Sequence, residues 1–153
     1  MNEEKDCAFV VEGKMALPYQ YFAGAVGSQF IVSLRDDKRI LGVRCEKCRK
    51  TFVPPRQTCE RCFASLADQW VEVGPAGEVT GFTVIRYAEP YQPKEPPYVL
   101  ALIKLDGADT PLAHILECGD VHKARIGMRV RAVFSEEPKD TILGIAHFEE
   151  ERP

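Results

Sequence analysis

Two short stretches, Cys45-Glu46-Lys47-Cys48 and Cys59-Glu60-Arg61-Cys62, decide how this chain is organised. Each is a Cys-x-x-Cys knuckle, whose two-residue gap lets both thiolates point at one ion, and ten residues separate the two knuckles. Two knuckles across a short hairpin supply the tetrahedral sulfur shell that zinc prefers, with bonds of about 2.3 Å. The spacing therefore predicts one structural zinc ion without an open position for water. Iron is the competing metal for an all-sulfur site, and disulfides are the metal-free alternative.

The composition indicates a soluble globular protein, because 45% of the 153 residues are apolar and 28% are charged. No apolar run approaches the ~18 residues of a membrane span, and the first six residues are charged rather than signal-like. Paired free thiols without an export signal are typical of a reducing compartment. We therefore expect a cytoplasmic protein with no membrane partner.

Charge is unevenly distributed around the formal total of −3. From Arg44 to Arg61 six basic residues stand against two acidic ones, a local excess of +4 that partly faces the metal site. From Val71 onward nine Lys and Arg stand against fourteen Asp and Glu, a net −5. A nucleic-acid binder normally needs a basic stripe to displace counterions from phosphates. This distribution disfavours the alternative of a nucleic-acid-binding module.

The N-terminal part of the chain predicts an extended arm over residues 1–20 and a helix over residues 21–38. The arm carries apolar residues without helical spacing. The helix is indicated by four apolar residues that recur every fourth position, namely Phe22, Val26, Phe30 and Leu34.

Residues 39–69 are predicted to form the metal-binding ribbon. Ile40 to Arg44 has the pattern of a strand that leads into the first knuckle, and Thr51 to Val53 that of its return. We expect Phe52 and Phe63 to cover the thiolates, because an apolar shell protects such a site from water.

Residues 70–153 are predicted to be a small closed barrel of five strands. One strand is long and bent, which suits an oligonucleotide/oligosaccharide-binding (OB) barrel better than a sandwich. Residues 89–97 hold four prolines and predict a stiff exposed loop. The apolar or alternating runs that indicate strands are Trp70–Val73, Glu78–Glu89, Tyr98–Asp106, Leu112–Glu117, Arg129–Ser135 and Thr141–Phe148.

Several short motifs follow one another in a specific order and spacing: Arg44-Cys45-x-x-Cys48, Phe52-Val53-Pro54-Pro55-Arg56, Cys59-x-x-Cys62, Trp70-Val71-Glu72-Val73, Gly77-Glu78-Val79, Pro97-Tyr98-Val99 and Ile126-Gly127-Met128-Arg129-Val130. With these motifs the chain resembles the rubredoxin-like zinc ribbon plus OB-fold proteins known as "domain of unknown function 35", which accompany thiolases and acyl-CoA enzymes. The resemblance spans Tyr21 to Phe148. A glycine often follows each knuckle in that family, whereas Arg49 and Phe63 stand there in this chain.

The resemblance implies a mainly β protein with a small α part, whose ribbon carries zinc. It implies a non-catalytic accessory subunit that completes or shields the acyl-CoA site of a thiolase-like catalytic partner, in thiolytic cleavage or condensation. The long segment before the ribbon is similar to a subgroup active in aromatic acyl-CoA degradation, such as benzoylsuccinyl-CoA thiolase. Side chains on the second barrel strand, the proline loop and the turn before Arg129 are candidates to contact coenzyme A or the partner: Arg86, Tyr91, Lys94, Lys123 and Arg125.

Catalysis by the chain itself would need a nucleophile beside a base. The thiols outside the knuckles are Cys7 and Cys118, and His114 lies four residues before Cys118. The favoured interpretation is that His114 and Cys118 are both structural, since the sequence contains no nucleophile elbow and no His-Glu-x-x-His helix. A rubredoxin-like iron protein that carries electrons is the remaining alternative, because it needs only the same four thiolates.

Overall fold

The computed structural model describes Val11, Gly13, Met15, Leu17 and residues 19–151. Most of the predicted arm, including Cys7, lies outside these residues. None of the described helices is both long and apolar enough to cross a membrane.

Helix α1 spans Gly24–Val32 and continues into a π-helical turn over Ser33–Asp37. The helix begins at Gly24, three residues after the predicted start at Tyr21. Gly24 has a φ of +78°, a left-handed conformation that prevents the helix from extending toward Tyr21. Phe22 consequently lies before the helix and is exposed. The remaining members of the predicted apolar stripe are buried.

A three-stranded sheet forms the ribbon. Its central strand β1 (Ile40–Arg44) pairs antiparallel with β2 (Thr51–Phe52) on one side and with β3 (Trp70–Val73) on the other. The ribbon's sheet thus continues beyond residue 69. The division of the chain at residues 20, 38 and 69 into separate units stays a prediction.

Five further strands follow: β4 Ala76–Ile85, β5 Tyr98–Leu105, β6 Leu112–Glu117, β7 Arg129–Phe134 and β8 Ile145–Glu150. They form a closed barrel in the order β4-β5-β6-β8-β7. Strands β6 and β8 run parallel, and the other neighbours are antiparallel. This arrangement confirms the predicted mainly β fold with a five-stranded OB barrel.

Two barrel strands differ from their predicted bounds. Strand β4 pairs from Ala76 to Ile85 and stops short of Glu89, while its register shifts between Val79 and Gly81. Strand β8 begins at Ile145, because the preceding residues Ile142–Gly144 form a 3₁₀ helix. The proline loop is therefore longer than predicted, and the last strand starts later.

One hydrophobic core joins the helix, the ribbon sheet and the barrel. Phe30 and Leu34 of the helical segment pack in the same cluster as Ile40 of β1 and Phe148 of β8. A Cβ atom at Gly144 would lie 3.1 Å from the Cβ of Leu34, so the helix approaches the barrel closely at this glycine. A second, smaller cluster surrounds the knuckles.

Candidate metal centre

The two knuckles have the same backbone hydrogen bonding. In each, the first cysteine's carbonyl oxygen accepts an N–H from the residue after the knuckle, and its own N–H donates to the next residue's carbonyl. Arg49 and Phe63 both have left-handed backbone conformations, with φ of 57° and 56°. The chain thus keeps the knuckle geometry without glycine. The four bonds are Arg49 N to Cys45 O (2.6 Å), Cys45 N to Lys50 O (2.8 Å), Phe63 N to Cys59 O (3.0 Å) and Cys59 N to Ala64 O (2.9 Å).

The four knuckle sulfurs gather at one point, with all Sγ atoms within 4.8 Å of one another. The Sγ atoms of Cys45 and Cys62 are 3.5 Å apart, and those of Cys48 and Cys59 are 3.9 Å apart. A regular tetrahedron with metal–sulfur bonds of about 2.3 Å has edges of about 3.8 Å. The four cysteines are therefore positioned to bind one metal ion.

The thiols of Cys48 and Cys59 differ in pKa because their surroundings differ. The backbone N–H of Cys62 lowers the pKa of Cys59 to about 6, against the opposing effect of burial. A hydrogen bond with the Cys62 thiol and then burial raise the pKa of Cys48 to about 12. Because a metal ligand must be a thiolate, an ion that binds all four sulfurs has to displace the proton that Cys48 keeps. Metal affinity should therefore rise with pH.

Apolar side chains cover part of the sulfur cluster. Cys45 and Cys59 are buried together with Phe52, and Trp70 packs against the same group. The guanidinium of Arg56 lies 4.7 Å from the centre of the Phe52 ring, a cation–π distance. The prediction for Phe52 is thus met by its burial in the cluster.

The prediction that Phe63 also covers the thiolates is wrong. Its side chain is 78% exposed. Phe63 closes the second knuckle in a left-handed backbone conformation, with a φ of 56°. The apolar character of a knuckle residue does not reveal whether its side chain covers the sulfurs or faces solvent.

The five candidate contact residues are all outside the metal centre, and no hydrogen bond or ion pair of the described residues joins them. Lys94 forms an ion pair with Glu117, whose pKa it lowers. Arg125 forms an ion pair with Glu150 at 2.8 Å. The other three are exposed and make no ion pair within the described part of the chain: Arg86, Tyr91 and Lys123.

A wide apolar groove of about 1060 Å³ lies between α1 and the outer surface of the barrel. Sequence analysis missed this feature, because its walls come from segments that are remote in sequence. The available signal was the apolar character of Leu102, which is exposed on β5 and lines the groove. Its walls include Tyr19, Tyr21, Phe30, Leu102, Pro111 and Ile142.

His114 and Cys118 do not form a nucleophile–base pair in the described structure. His114 is 3% exposed, and its Nδ1 accepts the backbone N–H of Ile115 at 2.9 Å. Its Nε2 is 3.3 Å from the carbonyl oxygen of Ile142. The Cys118 thiol donates to the carbonyl oxygen of Asp120 at 3.1 Å, and burial raises its pKa. Both ring nitrogens of His114 are therefore engaged elsewhere.

Comparison with known proteins gives this architecture a family. One family model, the ChsH2 rubredoxin-like zinc ribbon domain, matches residues 33–67, and another, the ChsH2 C-terminal OB-fold domain, matches residues 70–135. A DUF35 domain-containing scaffold protein of Methanocaldococcus jannaschii is 31% identical over 108 residues, which cover 69% of this chain and 74% of that protein. The chain belongs to the DUF35 family.

Further DUF35 proteins agree with this placement. A scaffold protein of the same description from Methanothermobacter thermautotrophicus is 25% identical and covers 68% of this chain and 80% of the relative. A DUF35 crystal structure of unknown function from Sulfolobus solfataricus is 28% identical, with a TM-score of 0.57 over 72% of this chain and 78% of that one. The structure of an Ltp2-ChsH2(DUF35) aldolase is 25% identical, with a TM-score of 0.59 over 80% of this chain and 91% of that one. The resemblance to the zinc ribbon plus OB-fold family is confirmed.

Proposed function

We propose that this DUF35 chain is a zinc-bearing, non-catalytic subunit that docks on a thiolase-type acyl-CoA enzyme and completes or shields its acyl-CoA site. The observation that carries the proposal is the likeness to the Ltp2-ChsH2(DUF35) aldolase, whose matched chain is covered over 91% of its length. That structure pairs a DUF35 chain with an aldolase, and the relatives are described as scaffold proteins. The role of a cytoplasmic accessory subunit in aromatic compound degradation is part of the proposal.

The metal would be zinc, and its role structural. Four thiolates fill a tetrahedral shell, so no position remains for water or substrate. Val43 of β1 and Phe52 of β2 pack in the same hydrophobic cluster as Cys45 and Cys59. Zinc would therefore fix the shape of the ribbon, while bond making and breaking would belong to the partner.

Exposed apolar surface supports docking on another protein. The arm and the start of the helical segment expose large side chains that a free surface would normally bury. The adjoining groove adds further apolar surface, and its volume of about 1060 Å³ would hold a folded segment or an acyl chain. These exposed side chains are Val11, Met15, Leu17, Tyr19, Tyr21 and Phe22.

The candidate coenzyme A contacts divide into two groups. Arg86 and Lys123 are free to bind a phosphate, because neither is held by a carboxylate of the described residues. Lys94 and Arg125 would first have to leave Glu117 and Glu150. We therefore assign phosphate contact to Arg86 and Lys123, and partner contact to Tyr91, which is 81% exposed.

Nucleic-acid binding is supported less well. The barrel is acidic overall, and two of its arginines are held by carboxylates: Arg129 binds Asp106 through two nitrogens, and Arg131 binds Glu151. Its net negative charge opposes the displacement of counterions from a phosphate backbone.

The test is recovery of the tagged full-length chain from its native cells, with mass identification of what accompanies it. We expect one zinc per chain and a co-purified acyl-CoA enzyme with a nucleophilic cysteine of its own. The complex should turn over an acyl-CoA thioester, and the isolated chain should not. Iron in place of zinc would favour the electron carrier, and turnover by the chain alone would contradict the proposal.

A further inference from the structure

Phe63 combines two features that are unfavourable for the chain by itself. It presents a large aromatic ring to solvent, and it holds a left-handed backbone conformation that a residue with a Cβ atom adopts at a cost. Glycine would satisfy the same turn without strain and without exposing apolar surface. Within the described structure, the Phe63 ring enters neither hydrophobic cluster. Backbone strain at an exposed apolar residue is typical of a functional position.

The ribbon segment that precedes Phe63 is positively charged. From Arg44 to Arg61 it carries an excess of +4, and a bound zinc with four thiolates would offset it by only −2. Of its six cations only Arg56 forms an ion pair with a described residue, Glu60. The others make no ion pair or side-chain hydrogen bond with any described residue: Arg44, Lys47, Arg49, Lys50 and Arg61.

The ribbon and the barrel therefore present opposite charge to a partner. Most barrel arginines sit in carboxylate pairs, as Arg125 does with Glu150 and Arg129 with Asp106. Three barrel cations, Arg86, Lys104 and Lys123, make no ion pair with a described residue, against five on the much shorter segment from Arg44 to Arg61, which ends two residues before Phe63. A surface that complements this arrangement has an apolar depression with carboxylates around it.

We propose that Phe63 anchors the second knuckle in an apolar, carboxylate-rimmed pocket of the catalytic subunit, with Arg61 meeting the rim. This inference rests on the proposed function and specifies which part of the chain binds the partner. A rigid aromatic ring at the end of a metal-fixed turn loses little conformational freedom on binding, which suits an interface anchor. Single-stranded nucleic acid also stacks on aromatic rings, but it normally uses several along a basic groove. Phe63 is the only exposed aromatic ring among residues 39–69, and the neighbouring barrel is acidic, which favours a protein.

The test measures the dissociation constant between the full-length chain and the catalytic subunit recovered with it. Phe63→Ala and Phe63→Gly should each weaken binding about 30-fold, the effect of removing an interface anchor. Both variants should keep one metal ion. Phe63→Gly should nevertheless melt about 4 °C above Phe63→Ala, because only glycine relieves the left-handed strain. Arg61→Ala should weaken binding less and reduce its dependence on salt.

Ile126→Ala is the matched control, since Ile126 is an apolar side chain that is 68% exposed on the barrel side of the chain. Its binding should stay at the wild-type value. Unchanged binding by Phe63→Ala would overturn this inference and leave the proposed function intact. Loss of metal in Phe63→Ala would also overturn it, by showing a structural role. A wild-type chain that recovers no enzyme would contradict the proposed function as well. If the wild-type chain binds a single-stranded oligonucleotide and Phe63→Ala does not, the partner at Phe63 is nucleic acid and the inference of a protein partner is overturned.

Discussion

The side-chain carboxylate of Asp109 accepts the backbone N–H of Thr51 at 2.8 Å, and the Asp109 N–H donates to the Thr51 carbonyl at 2.9 Å. The neighbouring residues repeat this arrangement. The Thr110 hydroxyl accepts the N–H of Val53 at 2.8 Å and donates to the Val53 carbonyl oxygen at 3.0 Å. The turn between β5 and β6 is thereby bound to the strand that leaves the first knuckle. Ribbon and barrel are therefore joined by hydrogen bonds, so a metal ion bound by the knuckles would also stabilise the ribbon against the barrel.

Removing this connection should destabilise the whole chain. Thr110→Val deletes the hydroxyl and leaves the Val53 N–H without its partner, which should lower the free energy of unfolding by about 2 kcal/mol. Urea denaturation followed by circular dichroism measures the change. Thr80→Val is the control, because it deletes an exposed hydroxyl that donates to Leu102. Equal effects of the two substitutions would show that the connection has no special role.

Metal removal should change the fluorescence of Trp70, the single tryptophan. Trp70 packs against the sulfur cluster, so a chelator that strips the ion should expose the indole and shift its fluorescence to longer wavelength. Cys59→Ser should give the same shift and lower the free energy of unfolding by several kcal/mol.

Cys118→Ser is the control for that experiment, since its thiol binds Asp120 rather than the cluster. It should keep one metal ion and the wild-type fluorescence. A Cys59→Ser variant with full metal content would contradict the four-sulfur site.

Gly77 lies where β4 approaches β5 most closely. A Cβ atom there would be 2.6 Å from the carbonyl oxygen of Lys104 and 2.9 Å from the Cα of Leu105. Because both are backbone atoms, Gly77→Ala must separate the strands and should cost about 2 kcal/mol of stability. Gly81→Ala meets nothing closer than Leu102 Cδ1 at 3.7 Å and serves as the control. Thermal unfolding should rank wild type and Gly81→Ala together, well above Gly77→Ala.

His114 should make the stability of the chain depend on pH. Burial lowers the pKa of His114 below its ordinary value of 6.5, so the folded chain holds the proton less tightly than the unfolded chain. The stabilisation is complete above pH 6.5 and is lost as the pH falls toward the folded pKa. The loss of unfolding free energy between pH 7.5 and 5.5 should therefore be smaller in His114→Gln than in wild type. Parallel curves for His114→Gln and wild type would contradict this assignment.

Local patterns predicted much of the fold. The spacing of the four cysteines and the apolar runs at Ile40–Arg44, Trp70–Val73 and Leu112–Glu117 gave the ribbon and several strand bounds, since these depend on neighbouring residues. Features that depend on remote contacts were not visible. Thr51 and Asp109 are 58 positions apart.

The exposed position of Phe63 was missed for a different reason. Its apolar side chain predicts burial, but the left-handed φ at the end of the knuckle overrides that tendency. The absence of glycine after the knuckle was the only signal in the sequence.

The central claim is that this DUF35 chain provides a metal-fixed docking surface while another chain provides the chemistry. The most direct test is acyl-CoA thioester turnover by the zinc-loaded chain alone, by the co-purified enzyme alone and by their reconstituted complex. The account predicts no turnover by the isolated chain and the highest rate for the complex. Turnover by the isolated chain, or an enzyme whose rate is unchanged by adding it, would contradict the account.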